Sequence, residues 1–184
     1  MTACVMDNTE RSKAFIYRKY YGYVMAIVIR YMQHEMEAEE ITNETFVKVF
    51  KKLADFSMHE EEEVLDKTFK SWMARIAVNT SIDSLRSRKK SLMLDDVSEQ
   101  DMLEHAVVIK DNLGTGDILA LLDHLPEIQR SIFNLFEIEG YSHDEIGKLM
   151  GIPESTSRTY LTRAKQRLRK LYATHFDISQ DIHS

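Results

Sequence analysis

The sequence predicts an all-α protein: two small helical domains joined by a flexible acidic linker. Three observations carry this expectation. Apolar residues recur at spacings of three and four along most of the chain, the period of a helix buried on one side. Only six glycines and two prolines interrupt 184 residues, so few breakers are available. From residue 91 to residue 116 the apolar period fails, which divides the chain into residues 8–90 and 117–174. Hydrophobic residues make up 43% of the chain, enough to pack a core and too many for wholesale disorder.

The first helix starts at Asn8 or Thr9, both N-cap residues, and runs to about Gln33. Tyr20, Val24, Ile27, Val28 and Tyr31 form its apolar stripe. A second helix fits Glu37 to Leu53, with Ala38, Ile41, Thr45, Val49 and Leu53 inward and Glu37, Glu40, Glu44, Lys48 and Lys51 outward. Residues 57–67, SMHEEEEVLDK, have no apolar period and read as an acidic loop. Thr68 is the expected cap of a third helix reaching about Arg88, with Phe69, Trp72, Ile76 and Leu85 as core contacts. Its basic end, Arg86, Arg88, Lys89 and Lys90, suits the negative end of a helix dipole.

The segment from Ser91 to Gly116 is acidic, with Lys110 its only cation, and reads as the linker. Beyond it Asp117 caps a short helix carrying Ile118, Leu122 and Leu125. Pro126 fits a first helical position, and Ile128, Ile132, Leu135 and Phe136 mark a helix ending at Gly140. Ser142 and Glu145 match the Ser-x-x-Glu capping box. The helix they open carries Ile146, Leu149 and Met150 and stops at Gly151.

After a Gly-Ile-Pro turn comes STSRTYLTRAKQRLRK, residues 155–170. It holds six cations and no carboxylate, in a chain whose formal net charge is -6. Helix, short turn, helix is the helix-turn-helix arrangement. Ser157, Leu161, Ala164, Leu168 and Leu171 form the inward stripe of the second helix. Ser155, Thr159, Thr162, Arg163 and Gln166 lie opposite, with Arg158 at the flank and Thr156 joining them as a contact. Short polar and forked cationic groups suit base edges and phosphates in a major groove. A carboxylate within the Debye length, ~10 Å at 0.1 M salt, would repel phosphate. A solvated basic face on the last helix of a bundle is the plainer reading of the same stretch.

Three stretches then resemble the bacterial sigma factors of the extracytoplasmic-function subfamily. They are AEEITNETFVKVFKKL, FKSWMARIAVNTSIDSLRSRKK and LPEIQRSIFNLFEIEGYSHDEIGKLMGIPESTSRTYLTRAKQRL, in the family's order. The resemblance covers nearly the whole chain. It implies a region 2 domain over residues 8–90, which binds core RNA polymerase and the minus-ten element, and a region 4 domain over residues 117–174, which binds the minus-thirty-five element. Glu37, Glu40, Glu44 and Lys48 fall where the family's second helix meets the beta-prime clamp helices, and region 4 would meet the beta flap. Asn79, Asp83, Arg86, Arg88 and Lys89 fall in the minus-ten reader, with Asn79 and Asp83 one turn apart and able to bond each other. Trp72 matches a family tryptophan, although core packing explains it as well.

The minus-thirty-five set is Ser155, Thr156, Arg158, Thr159, Thr162, Arg163 and Gln166. The chain departs from the family at four places. Glu60 to Glu63 fill the loop that in the family receives a flipped base. Ser157 replaces a usual valine and Tyr160 a usual arginine, which together imply an altered minus-thirty-five preference. Gly147 replaces a usual alanine, at a cost of up to ~1 kcal/mol in helix propensity.

An anti-sigma partner is implied by the resemblance. No cofactor or metal is expected: the lone Cys4 excludes an internal disulfide and a cysteine cage, and the seven histidines are scattered. No Walker loop or HExxH occurs, so catalysis is not expected. No signal peptide is visible and the most apolar window, Val24 to Ile29, is too short to span a bilayer, so a soluble, cytoplasmic protein without membrane insertion is expected. A stand-alone helix-turn-helix regulator is the alternative.

Overall fold

Thr9 opens the first helix, α1 (Glu10–Val28), by accepting a hydrogen bond from the Ser12 backbone N–H. In a computed structural model that describes residues 9–32, 34–56, 62–92 and 121–181, every described regular element is helical. α1 ends at Val28, short of Gln33. The chain then turns, and Tyr31 and Met32 remain buried. α2 (Glu35–Lys51) starts one half-turn earlier than its sequence pattern suggests, and Leu53 is buried from a following 3-10 turn, Leu53–Asp55.

The largest correction concerns α3, which spans Glu62–Leu92. Residues 62–67 are therefore helical, and only 57–61 of the expected acidic loop lie outside the described residues. Thr68 is no cap. Its hydroxyl donates back to the Val64 and Leu65 carbonyls at 2.8 and 3.1 Å, the interior alternative open to any threonine. Leu65 becomes a fully buried core residue, joined by Phe69, Met73, Ala77, Ile82 and Leu85. Trp72 and Ile76 are only half-buried. Trp72 packs against Phe69 and Phe56, with ring centroids 5.6 and 5.2 Å away.

One carboxylate ties α1 to α3. Asp66 accepts from the Tyr20 hydroxyl at 2.6 Å and from Lys19 at 2.9 Å, and it pairs with Lys70 at 2.8 Å. Those three donors, Lys70 first, hold its carboxyl well below the usual carboxylate range.

The chain divides into two compact units, Met1–Arg88 and Lys89–Ser184. The expected linker, from residue 93 onward, and the expected caps and core at Asp117 and Ile118 lie outside the described residues. Leu121, Leu122 and Leu125 of unit two are buried. Pro126 occupies the cap position rather than the first helical one, and α4 follows as Glu127–Phe133. It does not run on as α-helix to Gly140. Asn134–Ile138 form a π turn, and Gly140 leaves it at φ 75°. Arg130, 1% exposed, reaches Asp123 at 3.1 Å from inside the core.

α5 (His143–Met150) carries the complete capping box: the Ser142 side chain accepts from Glu145 N–H, and the Glu145 carboxylate accepts from Ser142 N–H. Donation from the Ser142 backbone N–H, then from the Ser142 hydroxyl, to that carboxylate lowers the Glu145 pKa. Gly151 closes α5 in the left-handed region at φ 68°. Gly147 has a separate reason to be glycine. A Cβ there would stand 2.9 Å from the Ile152 carbonyl oxygen, a backbone atom with no room to yield. The turn into α6 (Glu154–Asp181) is thus tight, and the glycine is matched to it rather than a net loss of helix propensity.

Candidate nucleic-acid interface

α6 divides by side. Ser157, Leu161 and Ala164 are buried, and Leu168 packs against the cluster of Leu122, Leu125 and Ala164. Burying one such leucine fully is worth about 1.5–3 kcal/mol, so apolar packing decides which side of α6 faces the core. That choice leaves Ser155, Arg158, Thr159, Thr162, Arg163 and Gln166 exposed and Thr156 half-exposed. The Thr159 and Thr162 hydroxyls donate to the Ser155 and Arg158 carbonyls, both at 3.0 Å. Their oxygens keep lone pairs for an incoming donor. The Arg163 guanidinium lies over the Tyr160 ring, 5.8 Å from its centroid.

Carboxylates return to the basic helix from its edges. Glu154 accepts from Arg158 Nε and Nη2 at 3.1 and 2.5 Å, and Glu137 of the π turn pairs with Lys165 at 2.6 Å. Both are partners the sequence pattern did not reveal. The pairs are at the surface, each worth about 0–1 kcal/mol, so an anionic ligand can displace them.

Ser157 does not belong to the exposed set. It is 0% exposed, and its hydroxyl lies 2.9 Å from His143 Nδ1. A direct effect of this serine on base preference is ruled out by its burial. The His143 ring stacks on Phe136 with centroids 4.5 Å apart. Burial, then the nearby Arg158, lower the His143 pKa, against a smaller upward pull from Glu154.

In unit one, Asn79 and Asp83 are both exposed on α3, and Asp83 faces Arg86 at 3.8 Å. Lys89 lies in the same helix near its end. Arg88 meets Glu37 of α2 at 2.6 Å. A residue of the expected polymerase-contact set is therefore joined to one of the expected minus-ten set. Glu40 is exposed, while Glu44 and Lys48 pair with each other at 2.9 Å on the same face of α2. Among the described residues no cluster of His, Cys, Asp or Glu is arranged to hold a metal ion, and no helix is long and apolar enough to cross a membrane.

Two family models match in succession: sigma-70 region 2 over residues 16–91 and sigma-70 region 4 over residues 115–168. The chain belongs to the sigma-70 family, as an extracytoplasmic-function sigma factor. It is 30% identical over 164 residues to the ECF RNA polymerase sigma factor SigE of Mycolicibacterium smegmatis, covering 86% of this chain and 60% of that relative. It therefore spans three fifths of SigE's length. With the RNA polymerase sigma-H factor of Pseudomonas aeruginosa it shares 25% identity over 90% of this chain and 89% of that one. Its fold is similar to that of the sigma factor RpoE solved with the anti-sigma factor NepR from Bartonella quintana. There the TM-score is 0.50 at 21% identity, over 87% of this chain and 96% of that one. Sigma factors are DNA-binding transcription initiation factors.

Proposed function

We propose that this sigma factor recruits core RNA polymerase to its own set of promoters, with the outward side of α6 reading the minus-thirty-five element. The observation that carries this reading is the division of α6: Ser157, Leu161 and Ala164 are buried, while Arg158, Thr159, Thr162, Arg163 and Gln166 are exposed on one helix. Ser155 and Thr156 stand at the N-terminal end, the part of a recognition helix that enters the groove. Asn79, Asp83, Arg86, Arg88 and Lys89 form the minus-ten reader. Glu37, Glu40, Glu44 and Lys48 contact the beta-prime clamp helices, and unit two contacts the beta flap. The domains run over residues 8–90 and 117–174.

Binding and positioning are its whole contribution; it is not an enzyme, and it acts in the cytoplasm without a cofactor. An anti-sigma factor holds it in reserve. The complex in which RpoE of Bartonella quintana was solved supports that part of the reading.

Run-off transcription with core polymerase on a genomic library, with start sites mapped, tests the proposal. Transcripts from a defined promoter set should need both components. Binding of the protein alone to one duplex promoter, as tightly as the holoenzyme binds it, would identify a stand-alone regulator instead.

A further inference from the structure

Ser157 places a hydroxyl in an otherwise apolar stripe, fully removed from water, with Leu161 and Ala164 on the turns that follow. A buried hydroxyl needs a partner, and the partner is His143, 14 residues earlier and 2.9 Å away. His143 is the first residue of α5, directly after the Ser142 cap. Its ring stacks on Phe136 of the π turn at an interplanar angle of 23°. One imidazole therefore touches all three successive helical segments of the helix-turn-helix.

These contacts differ in what they fix. A stacked ring or a leucine tolerates sliding, because dispersion is non-directional. A hydrogen bond weakens steeply with angle and distance. Side chains reach about 5–6 Å from a helix axis, so a roll of ~20° moves a surface group by about 2 Å, enough to break a base contact of ordinary hydrogen-bond length. Arg158 and Thr156 are the immediate neighbours of Ser157 and would move with it.

We propose that His143 is a positioning residue for promoter reading: its hydrogen bond to Ser157 sets the roll of α6, and so the direction in which Arg158 and its neighbours leave the helix. The proposal rests on the reading of α6 as the minus-thirty-five reader. It makes position 143, which lies on α5 and outside the expected DNA-reading set, a determinant of promoter preference.

The test uses reconstituted holoenzyme with the full chain and a library of minus-thirty-five variants. Each preference is a ratio within one holoenzyme, so partial loss of folded protein scales every promoter alike. His143→Phe keeps the stack on Phe136 and removes the hydrogen bond. His143→Phe with Ser157→Val replaces the polar pair by an apolar one and should recover the wild-type melting temperature. His143→Asn supplies an amide with both donor and acceptor in place of Nδ1.

The expected result is that His143→Asn keeps the wild-type ranking of promoters. The other two should change preference at one or more positions by about fivefold or more, the lower end of what a bidentate base contact contributes. A double variant that ranks promoters as the wild type does would overturn the proposal and leave the pair a packing feature. So would a His143→Asn holoenzyme as altered as His143→Phe. A wild-type holoenzyme indifferent to every minus-thirty-five variant would instead overturn the reading of α6 itself, and the proposal with it.

Discussion

Replacing Arg158 with alanine separates reading from holding in the basic helix. The side chain is 63% exposed in the second turn of α6 and is held by Glu154 of the same helix. An exposed i,i+4 pair of this kind contributes about 0.3–0.5 kcal/mol. A bidentate arginine–guanine contact contributes about 1–3 kcal/mol of discrimination at one base pair. The guanine wins that competition, and the net loss in Arg158→Ala is about 0.5–2.7 kcal/mol, roughly 2- to 100-fold, confined to one minus-thirty-five position. Glu154→Gln should act in the opposite sense and raise affinity about twofold, because it releases the arginine and removes a carboxylate from the phosphate field. Lys170 provides the control. It is exposed, 12 residues further on, about 18 Å along the axis. Lys170→Ala should weaken every promoter alike and reduce the salt slope by about one unit. The assay is a promoter-variant library transcribed by each mutant holoenzyme at several salt concentrations. If Arg158→Ala changed all variants by one common factor, the helix would be a non-specific clamp and the assignment would be wrong.

Gly147→Ala should destabilise unit two by about 1 kcal/mol or more, as overpacking does, although helix propensity alone favours alanine. A circular-dichroism melt measures this, and a gain in stability would show that the turn at Ile152 yields. Asp66→Asn should cost unit one about 1.5–3 kcal/mol, the range for hydrogen bonds to a charged group. The chain's single tryptophan, Trp72, lies in that unit and reports its urea unfolding by fluorescence. Because the Asp66 pKa is depressed, its stabilisation is complete above the ordinary value of 3.8 and is lost as pH falls through that value toward the folded one. An equal gap between wild type and variant at pH 7 and at about pH 3 would refute the linkage. His143 has the same sign by a different route. Its pKa is lowered from 6.5 by burial first, then by Arg158 and Lys165, against an upward pull from Glu154. Unit two should therefore be fully stable above 6.5 and lose stability as pH falls below it, while His143→Asn flattens that dependence.

What the sequence made legible was whatever is local. The capping box at Ser142, the stop at Gly151 and the stripe Ser157–Leu161–Ala164 depend on residues within one or two turns, and all appear in the fold. The start of α3 was hidden because an acidic run and a threonine mimic a loop and a cap. Thr68 bonds backward as readily as forward, and only the packing of Leu65 decides between them. Partners distant in sequence were invisible. Asp66 finds Tyr20 46 residues away, Arg88 finds Glu37, and the buried Arg130 finds Asp123 across the start of α4. In the candidate site the exposed residues of α6 could be placed from its wheel. The carboxylates that neutralise two of its cations could not, since Glu137 lies in a π turn that no apolar period announces.

The ion pair between Glu37 and Arg88 bears on how this chain could change over generations. Each member stands in a different expected contact set, yet the two end on each other at 2.6 Å. A mutation that suited Glu37 to a different polymerase surface would leave Arg88 without its carboxylate, and the reverse holds for a mutation suiting Arg88 to a different promoter. A partly exposed ion pair is worth about 0–1 kcal/mol, so a change at either position carries a small cost at the other, and the compensating change is the swap of acid for base across α2 and α3.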